Sequence, residues 1–363
     1  MRHENRVKLQ RAASLYFVLS DLSFRYMASS TPSTVLKPGV HPLTDGPRTT
    51  QSMRDDVLHG LSQMPKQLAA KYLYDERGSS LFDDICTLEA YYPTRTEVQI
   101  LDTHADDMAA CAGSKAALIE YGSGTSQKTH RLLQALHDPA AYMPIDIAHE
   151  HLLNASERIA AAFPKLPVFP VWADYTAPVP MPVPAKAYTH AVAFYPGSTI
   201  GNFLPEDAIA FLQQVHTQVG ASGGLLIGVD LKKDPDRLRR AYDDPQGVTA
   251  AFNKNVLVRL NRELDGDFAV DQFTHEARWV PKHHRIEMHL VSQTEQTVQV
   301  AGQSFAFEAG QSICTEYSHK YTLSQFEDLL ARANWQLQAT WTDPDRLFSV
   351  HYAEPAAMDV ADS

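Results

Sequence analysis

The sequence predicts an α/β protein built on a doubly wound parallel sheet, with a mixed α+β domain inserted into it. Apolar runs alternate with helical patterns between residues 117 and 229, which favours parallel strands joined by helices. A glycine-rich turn, Gly122-Ser-Gly124, follows the first of these runs. After Asp230 the pattern changes to a long amphipathic helix and alternating strands, which indicates a second structural unit.

The elements of the parallel sheet can be placed in order. A short helix that ends at Pro65 comes first, and the spacing Thr94-Arg-Thr-Glu97 then predicts a capping box that opens a helix to about Ala112. Thr125 and Ser126 are expected to cap the helix that begins near Gln127. The predicted strands lie near 117–121, 142–146, 167–172, 189–195 and 224–229.

The second unit has a different spacing of apolar residues. Apolar residues recur every four positions between Val248 and Leu264, which predicts a long amphipathic helix. Ile286, Met288 and Leu290 share one face of a strand, and 298–307 continues as a hairpin. A helix over 322–334 and an antiparallel pair of strands, 336–341 and 347–352, then return to the first sheet.

Three segments follow from this pattern. Residues 1–52 are expected to be a disordered or non-native leader, because 28–52 is rich in Ser, Thr and Pro. Residues 96–231 and 321–363 form the sheet domain. Residues 53–95 and 232–320 form the inserted domain.

Composition excludes several classes of function. The net charge of −11, with few clustered basic residues, argues against binding of nucleic acid. Cys86, Cys111 and Cys314 are far apart and lack CxxC spacing, which indicates a reducing cytoplasm rather than disulfides or zinc. The histidines show no HExxH pairing, and no segment approaches the roughly 20 apolar residues of a membrane span. We expect a cytoplasmic monomer without a metal or a membrane partner.

Chemistry at three strand ends indicates the cofactor. Gly122 and Gly124 allow a tight turn and close approach of a ligand. Asp146 lies 22 residues after Gly124, where a carboxylate can bind both ribose hydroxyls. Asp174 ends the next strand and can accept from an adenine amine, while Tyr175 packs on the ring. A dinucleotide fingerprint would have a third glycine at position 127, where this chain has glutamine, so S-adenosylmethionine is favoured over NAD.

Several long motifs carry a resemblance to a known family. They are YLYDERGSSLF, EAYYPTRTE, IEYGSGTSQKT, GSTIGNF, AYDDPQGVTAAFNKNVLVRLNREL, RIEMHL and CTEYSHKY. Over about residues 53–352 the chain resembles the L-histidine Nα-methyltransferase family, which makes hercynine in ergothioneine biosynthesis. The resemblance implies a Rossmann-like methyltransferase domain that carries an inserted substrate domain, with the amino acid held between the two.

The resemblance also implies roles for individual residues. Asn202 and Tyr242 belong to the carboxylate end of the substrate, and Glu316 and Ser318, two apart in a predicted strand, belong to its imidazole. Tyr74 matches the tyrosine beside the methyl-transfer centre, and Tyr74 and Asn202 are the catalytic pair. The remaining matches enclose the substrate or belong to the cofactor loop; they are Phe82, Tyr91, Thr249 and Met288 for the substrate, and Gly122, Lys128, Asp146, Asp174 and Tyr175 for the cofactor.

Alternatives remain at this point. The substrate could be another amino acid or a histidine derivative, and Tyr317, His319 and Tyr321 are bulkier or more polar than the family pattern predicts beside the imidazole pair. A non-catalytic protein that binds the cofactor is a different class, as is an NAD-dependent dehydrogenase. Retention of Tyr74, Asn202 and the cofactor loop favours an enzyme.

Overall fold

A computed structural model describes residues 39–41, 49–184 and 187–356. Most of the expected leader, 1–38 and 42–48, lies outside the described residues. The expectation of a disordered lead-in is wrong for the parts of 1–52 that are described. Val40 is buried and bridges Val168, with a hydrogen bond of 2.9 Å from the His41 amide to the Val168 carbonyl, and a helix begins at Thr49.

The helices and strands follow in chain order. The helices are α1 (Thr49–Ser62), α2 (Glu76–Thr87), α3 (Tyr92–Ala112), α4 (Gln127–Ala135), α5 (His149–Ala162), α6 (Pro205–Val219), α7 (Pro235–Tyr242), α8 (Val248–Glu263) and α9 (Leu323–Arg332). The strands are β1 (Lys66–Gln67), β2 (Ala116–Tyr121), β3 (Ala141–Asp146), β4 (Val171–Trp172), β5 (His190–Tyr195), β6 (Gly224–Asp230), β7 (Phe273–Val280), β8 (Arg285–Ser292), β9 (Gln296–Val300), β10 (Gln303–Phe307), β11 (Ser312–His319), β12 (Trp335–Thr342) and β13 (Phe348–Pro355).

A seven-stranded sheet forms the larger layer, in the order β12-β13-β6-β5-β2-β3-β4. The five strands from β6 to β4 are parallel, whereas β13 is antiparallel to β6 and to β12. The predicted α/β fold and its antiparallel end are therefore confirmed. The predicted strand 167–172 is reduced to two residues plus the bridge at Val168, because Pro167 and Pro170 cannot donate to a ladder.

Helix α3 begins earlier than predicted. It starts at Tyr92 with Pro93 in the first turn, and no side chain caps it, so the predicted capping box of Thr94 and Glu97 is wrong. Proline is favourable in a first helical turn because the amide it lacks would have no helical partner there. Glu97 is fully buried instead and serves the site described below.

A second, four-stranded sheet has the order β1-β11-β8-β7 and packs against α8. Alternate residues of β8 face the helix and are buried, among them Ile286, Met288 and Leu290, as predicted from their spacing. The hairpin of β9 and β10 is also confirmed. Strand β1 precedes the seven-stranded sheet in the chain, yet it pairs with β11 of the inserted segment. The four-stranded sheet therefore combines residues from before the seven-stranded sheet with residues inserted after β6.

Two apolar cores correspond to the two sheets. One comprises residues between Ala117 and Val229 together with residues between Tyr321 and Ala353. The other comprises residues between Met53 and Tyr92 together with residues between Leu238 and Ile313. Among the residues that the structure describes, no helix has the length and apolar character needed to cross a bilayer.

Candidate functional site

A cavity of about 560 Å³ lies between the carboxyl ends of the parallel strands and β11. A volume of this size suits a small-molecule ligand. Ten of the predicted site residues line it: Tyr74, Phe82, Tyr91, Gly122, Lys128, Asp146, Asp174, Tyr175, Asn202 and Glu316. The other four, Tyr242, Thr249, Met288 and Ser318, are buried beside it.

The loop after β2 has the backbone that its glycines predict. Gly122 has φ 78° and Gly124 has φ 45°, values in the left-handed region that favours glycine. The Gly122 amide donates to the Ile145 carbonyl at 2.8 Å, which ties the loop to β3. The expected side-chain cap on α4 is wrong, because Ser126 is itself left-handed, with φ 59°, and its hydroxyl makes no cap hydrogen bond.

Asp146 closes β3 and faces the same loop. One carboxylate oxygen accepts from the Ala148 amide at 2.9 Å, and the other lies 3.5 Å from the Ser123 hydroxyl. Burial raises the pKa of Asp146, although the backbone amides of Ala148, Gly124 and Ser123 oppose this shift. A carboxylate in this position retains capacity to accept hydrogen bonds from a ligand in the cavity.

Asp174 is already paired with a residue that sequence reasoning missed. Lys71, in a 3-10 helix (Ala70–Leu73), lies 3.0 Å from Asp174 and 3.0 Å from Asp56. The Thr176 hydroxyl donates to the other Asp174 oxygen at 2.6 Å. Burial alone would raise the pKa of Asp174, but Thr176 and the Lys71 charge outweigh it and hold the pKa below its ordinary value. Lys71 directly precedes the motif YLYDERGSSLF, but nothing in its spacing pointed to Asp174.

Lys128 is anchored below the loop. Its ammonium lies 2.6 Å from Glu97, and Glu97 also accepts from the Gly197 amide at 2.9 and 3.1 Å. A Cβ on Gly228 would lie 2.1 Å from the Glu97 carboxylate, so β6 needs glycine there to admit the acid. Glu97 therefore joins the loop after β2 to the loop after β5.

Four aromatic rings form a row, and three of them, Tyr74, Phe82 and Tyr91, line the cavity. Tyr74 and Phe82 have ring centroids 5.5 Å apart, Phe82 and Tyr91 6.1 Å, and Tyr91 and Tyr242 6.0 Å, all edge to face. Burial, with smaller effects from Glu316 and Tyr175, raises the pKa of Tyr74 well above its ordinary value. Its hydroxyl is therefore neutral, and Tyr74 lines the cavity together with the loop after β2 and Glu316 of β11.

Glu316 is a carboxylate on β11 that lines the cavity. It follows a β-bulge between Cys314 and Glu316 that changes the register of β11 against β8, and it lies opposite Met288. No hydrogen bond from the described part of the chain reaches its side chain. Burial raises the pKa of Glu316 to about 7, opposed by the charge of Lys320. Such an acid is poised to accept a donor from a ligand.

Ser318 and Tyr242 meet beside Glu316. From Glu316 to Ser318 the pairing with β8 is regular, so the two side chains share a strand face, as predicted. The Tyr242 hydroxyl lies 2.7 Å from the Ser318 hydroxyl, and Lys320 donates to both, at 2.9 and 2.7 Å. Lys320 was missed, although its alternate position after Ser318 in the motif CTEYSHKY was a usable signal.

Thr249 and Met288 occupy the helix side of the site. The Thr249 amide donates to Asp244 at 2.7 Å at the start of α8, and Met288 is 2% exposed.

One cluster among the described residues could in principle hold a metal ion, contrary to the expectation that the protein has none. Glu287, His289 and Cys314 have ligand atoms within 4.8 Å of one another. Arg285 already pairs with Glu287, and burial raises the pKa of the Cys314 thiol to about 12, so this cluster is poorly prepared for a cation.

Comparison with known proteins gives a consistent result. Residues 53–355 match the model of a family described as histidine-specific methyltransferase, SAM-dependent. A histidine N-alpha-methyltransferase of Mycolicibacterium smegmatis is 41% identical over 308 residues, which cover 84% of this chain and 95% of the relative. The corresponding enzyme of Mycobacterium tuberculosis is 38% identical over 297 residues, covering 80% and 91%. An L-tryptophan methyltransferase of Psilocybe serbica is 26% identical over 330 residues, covering 81% and 90%.

The raised pKa of Glu316 predicts a pH-dependent stability difference. The pKa of Glu316 rises from an ordinary 4.5 to about 7 on folding, so ionisation of this side chain destabilises the folded state as the pH rises from 4.5 to about 7. Above that range the full destabilisation is present. Glu316→Gln should therefore raise the melting temperature of the ligand-free protein at pH 8, with no gain at pH 4.5. Thermal melting of both forms at the two pH values measures this, with exposed Glu308→Gln as control. An equal difference at both values would contradict the prediction.

Proposed function

We propose that this chain, which belongs to the histidine-specific, S-adenosylmethionine-dependent methyltransferase family, trimethylates the α-amino group of L-histidine. The product would be hercynine, and the reaction would be the first step of ergothioneine biosynthesis. The observation that carries the substrate assignment is the unpartnered carboxylate of Glu316 in a cavity that also contains the cofactor loop.

In this proposal, one domain binds the cofactor and the other binds the substrate. The methyltransferase domain comprises residues 96–231 and 321–363, and the substrate domain comprises 53–95 and 232–320. The two apolar cores support this division, because each draws its buried residues from both segments of one domain. The cavity lies where residues of both domains meet.

The residues present suit S-adenosylmethionine. In the proposal, Asp146 accepts from the ribose hydroxyls, Tyr175 packs on the adenine, and the turn at Gly122 allows the backbone to approach the ligand. Asp174 accepts from the adenine amine with the oxygen that Lys71 also contacts. Lys128, held by Glu97, lines the cavity and belongs to the cofactor-binding residues.

The substrate lies on the other side of Tyr74. Asn202 and the Tyr242 hydroxyl bind its carboxylate, while Glu316 and Ser318 bind the two imidazole nitrogens. Phe82, Tyr91, Thr249 and Met288 enclose it. A ring with no N–H donor would leave Glu316 buried and unpaired, which costs several kcal/mol. That cost is the physical basis of histidine selectivity.

The reaction is a direct displacement. The methyl donor supplies a carbon already activated by the adjacent sulfonium, so the protein has no nucleophile to provide. The lone pair of the neutral α-amine forms the new N–C bond as the S–C bond breaks, and the ammonium proton then passes to water. Positioning and exclusion of water supply the rate. Tyr74 and Asn202 contribute neutral oxygens and space for successive methyl groups.

A single assay tests the function. The purified protein is incubated with S-adenosylmethionine and each of the twenty amino acids, and the products are analysed by mass spectrometry. Histidine should gain three methyl groups. If histidine stays unchanged while another amino acid is methylated, the substrate assignment is wrong. If nothing is methylated although S-adenosylhomocysteine binds, the protein is a cofactor-binding protein without this activity.

The ribose contact predicts a defined loss. Asp146→Ala should weaken S-adenosylmethionine binding by roughly 1.5–3 kcal/mol, because charge-assisted hydrogen bonds to the ribose are removed. Calorimetry measures the affinity, with exposed Asp106→Ala as the matched control. Unchanged affinity in Asp146→Ala would remove this residue from the cofactor site.

The imidazole contact predicts a change of specificity. Glu316→Ala should reduce kcat/KM for histidine by roughly 2–4 kcal/mol, while phenylalanine and tryptophan gain relative to histidine because no acid is left unpaired. Affinity for S-adenosylhomocysteine should hardly change. Specificity constants for the three amino acids in both forms decide the matter. A parallel loss for all of them would mean that Glu316 has a structural role.

The other expectations stay predictions. They are a cytoplasmic location, a monomeric state, no nucleic-acid or membrane partner, and no metal. The three free cysteines support a reducing compartment.

A further inference from the structure

The proposed site presents only neutral groups to the substrate carboxylate. Asn202 and Tyr242 carry no charge, yet a buried carboxylate needs a countercharge nearby. The two lysines that line the cavity are committed elsewhere, Lys71 to Asp56 and Asp174, and Lys128 to Glu97. A lysine that serves the carboxylate would therefore lie behind the cavity wall.

Lys320 occupies that place. Its side chain is fully buried, and its ammonium lies 2.7 Å from Asp230, 2.9 Å from the Tyr242 hydroxyl and 2.7 Å from the Ser318 hydroxyl. Three contacts use all three ammonium protons. Because Tyr242 accepts from Lys320, the phenol proton points away from the ammonium, toward Ser318 or the cavity.

The cluster behind the wall contains a second lysine, Lys233. Lys233 also pairs with Asp230, at 2.5 Å, and Tyr92 donates to the same carboxylate at 2.7 and 2.9 Å. Two ammonium groups therefore share one carboxylate. Lys233 contacts Asp230, Tyr92 and the Leu231 carbonyl, so Lys320 is the member of the pair that touches Tyr242.

We propose that Lys320 is a positioning residue that supplies the countercharge for the substrate carboxylate through the Tyr242 hydroxyl. This inference rests on the proposed function, and it assigns a role to a residue that does not touch the substrate. The ammonium polarises the phenol, and the phenol donates its proton to the carboxylate. A carboxylate is a stronger acceptor than the Ser318 hydroxyl, because hydrogen bonds to charged groups are roughly twice as strong as neutral ones. The proton therefore turns to the substrate when the substrate binds.

Substrate analogues separate this role from a structural one. Affinities for histidine and for histidinamide, in which a neutral amide replaces the carboxylate, are measured by calorimetry in the presence of S-adenosylhomocysteine. The native protein should prefer histidine, and Lys320→Met should reduce the ratio of the two affinities by about ten- to hundred-fold. The comparison is between ratios, so the different basicity of the two amines cancels. KM for histidine should rise much more than kcat falls.

Two further variants separate the contact between Lys320 and Tyr242 from other effects of the substitution. Lys233→Met removes the other ammonium on Asp230 and should leave the ratio unchanged. Tyr242→Phe keeps Lys320 and removes only the hydroxyl, so it should reduce the ratio as much as Lys320→Met, and the double variant should reduce it no further. If Lys320→Met does not fold, Tyr242→Phe alone decides: a preserved ratio overturns the proposal.

The remaining outcomes are also decisive. Equal loss in Lys233→Met and Lys320→Met would overturn the proposal, since the charge of the whole cluster would then matter rather than the contact with Tyr242. A native protein that trimethylates histidine but binds histidinamide equally well would also overturn it, with the proposed function intact. If the mass assay identifies another amino acid, that amino acid and its amide replace the histidine pair, because the carboxylate is common to all of them.

Discussion

The buried ion pair between Asp230 and Lys320 is the constraint on which the arrangement of the two sheets depends. Asp230 ends β6, where the chain leaves the large sheet, and Lys320 follows β11, where the chain returns. Next to the ion pair, Leu231 and Tyr321 form a parallel bridge, and the Lys232 amide donates to the Tyr321 carbonyl at 2.9 Å. These contacts hold the two ends of the inserted segment together. Burial alone would raise the pKa of Asp230, but the charges of Lys320 and Lys233 hold it below its ordinary value.

This closure also explains why the site lies where it does. The ion pair brings the end of β11 beside the carboxyl end of β6, and Glu316 and Ser318 stand a few residues before Lys320 on that strand. A buried ion pair adds little net stability compared with an apolar replacement of the same shape, but breaking it by removing one partner is costly. Its value here is geometric, since it fixes the distance between the strand that carries Glu316 and the sheet that carries the glycine loop.

The sequence predicted the fold well because periodicity is a local signal. The four-residue spacing from Val248 and the alternation at Ile286 report burial without knowledge of partners, and both elements formed as expected. The failures were also local: α3 begins at Tyr92, two residues before Thr94, with Pro93 in its first turn, and Pro167 and Pro170 shorten β4. In both cases a proline changed the bounds of an element whose type was correct.

The site was predicted less completely, because its supporting charges are paired over long sequence distances. Lys71 and Asp174 are 103 residues apart, and Glu97 reaches Gly197 across 100. A single sequence contains no sign of such pairs. Glu97 resembled a helix cap for the same reason: its spacing from Thr94 was visible, whereas its burial against Lys128 was not. Glu316 could be predicted as a ligand group from the motif, but its lack of a protein partner required the fold.

The aromatic row gives a physical reason for repeated methylation in the proposed reaction. Each transfer makes the substrate nitrogen bulkier, and the third leaves it permanently cationic with no N–H to donate. Fixed hydrogen-bond acceptors lose their partner as this happens, whereas an aromatic face attracts a cation whatever its substituents, by about 0.5–2 kcal/mol, and Tyr74, Phe82 and Tyr91 all line the cavity. Burial raises the pKa of Tyr74 and Tyr91 well above their ordinary values, so both rings stay neutral. A wall of neutral rings can therefore hold the amine at every stage, while the fixed charges of Glu316 and Lys320 hold the parts of the substrate that do not change.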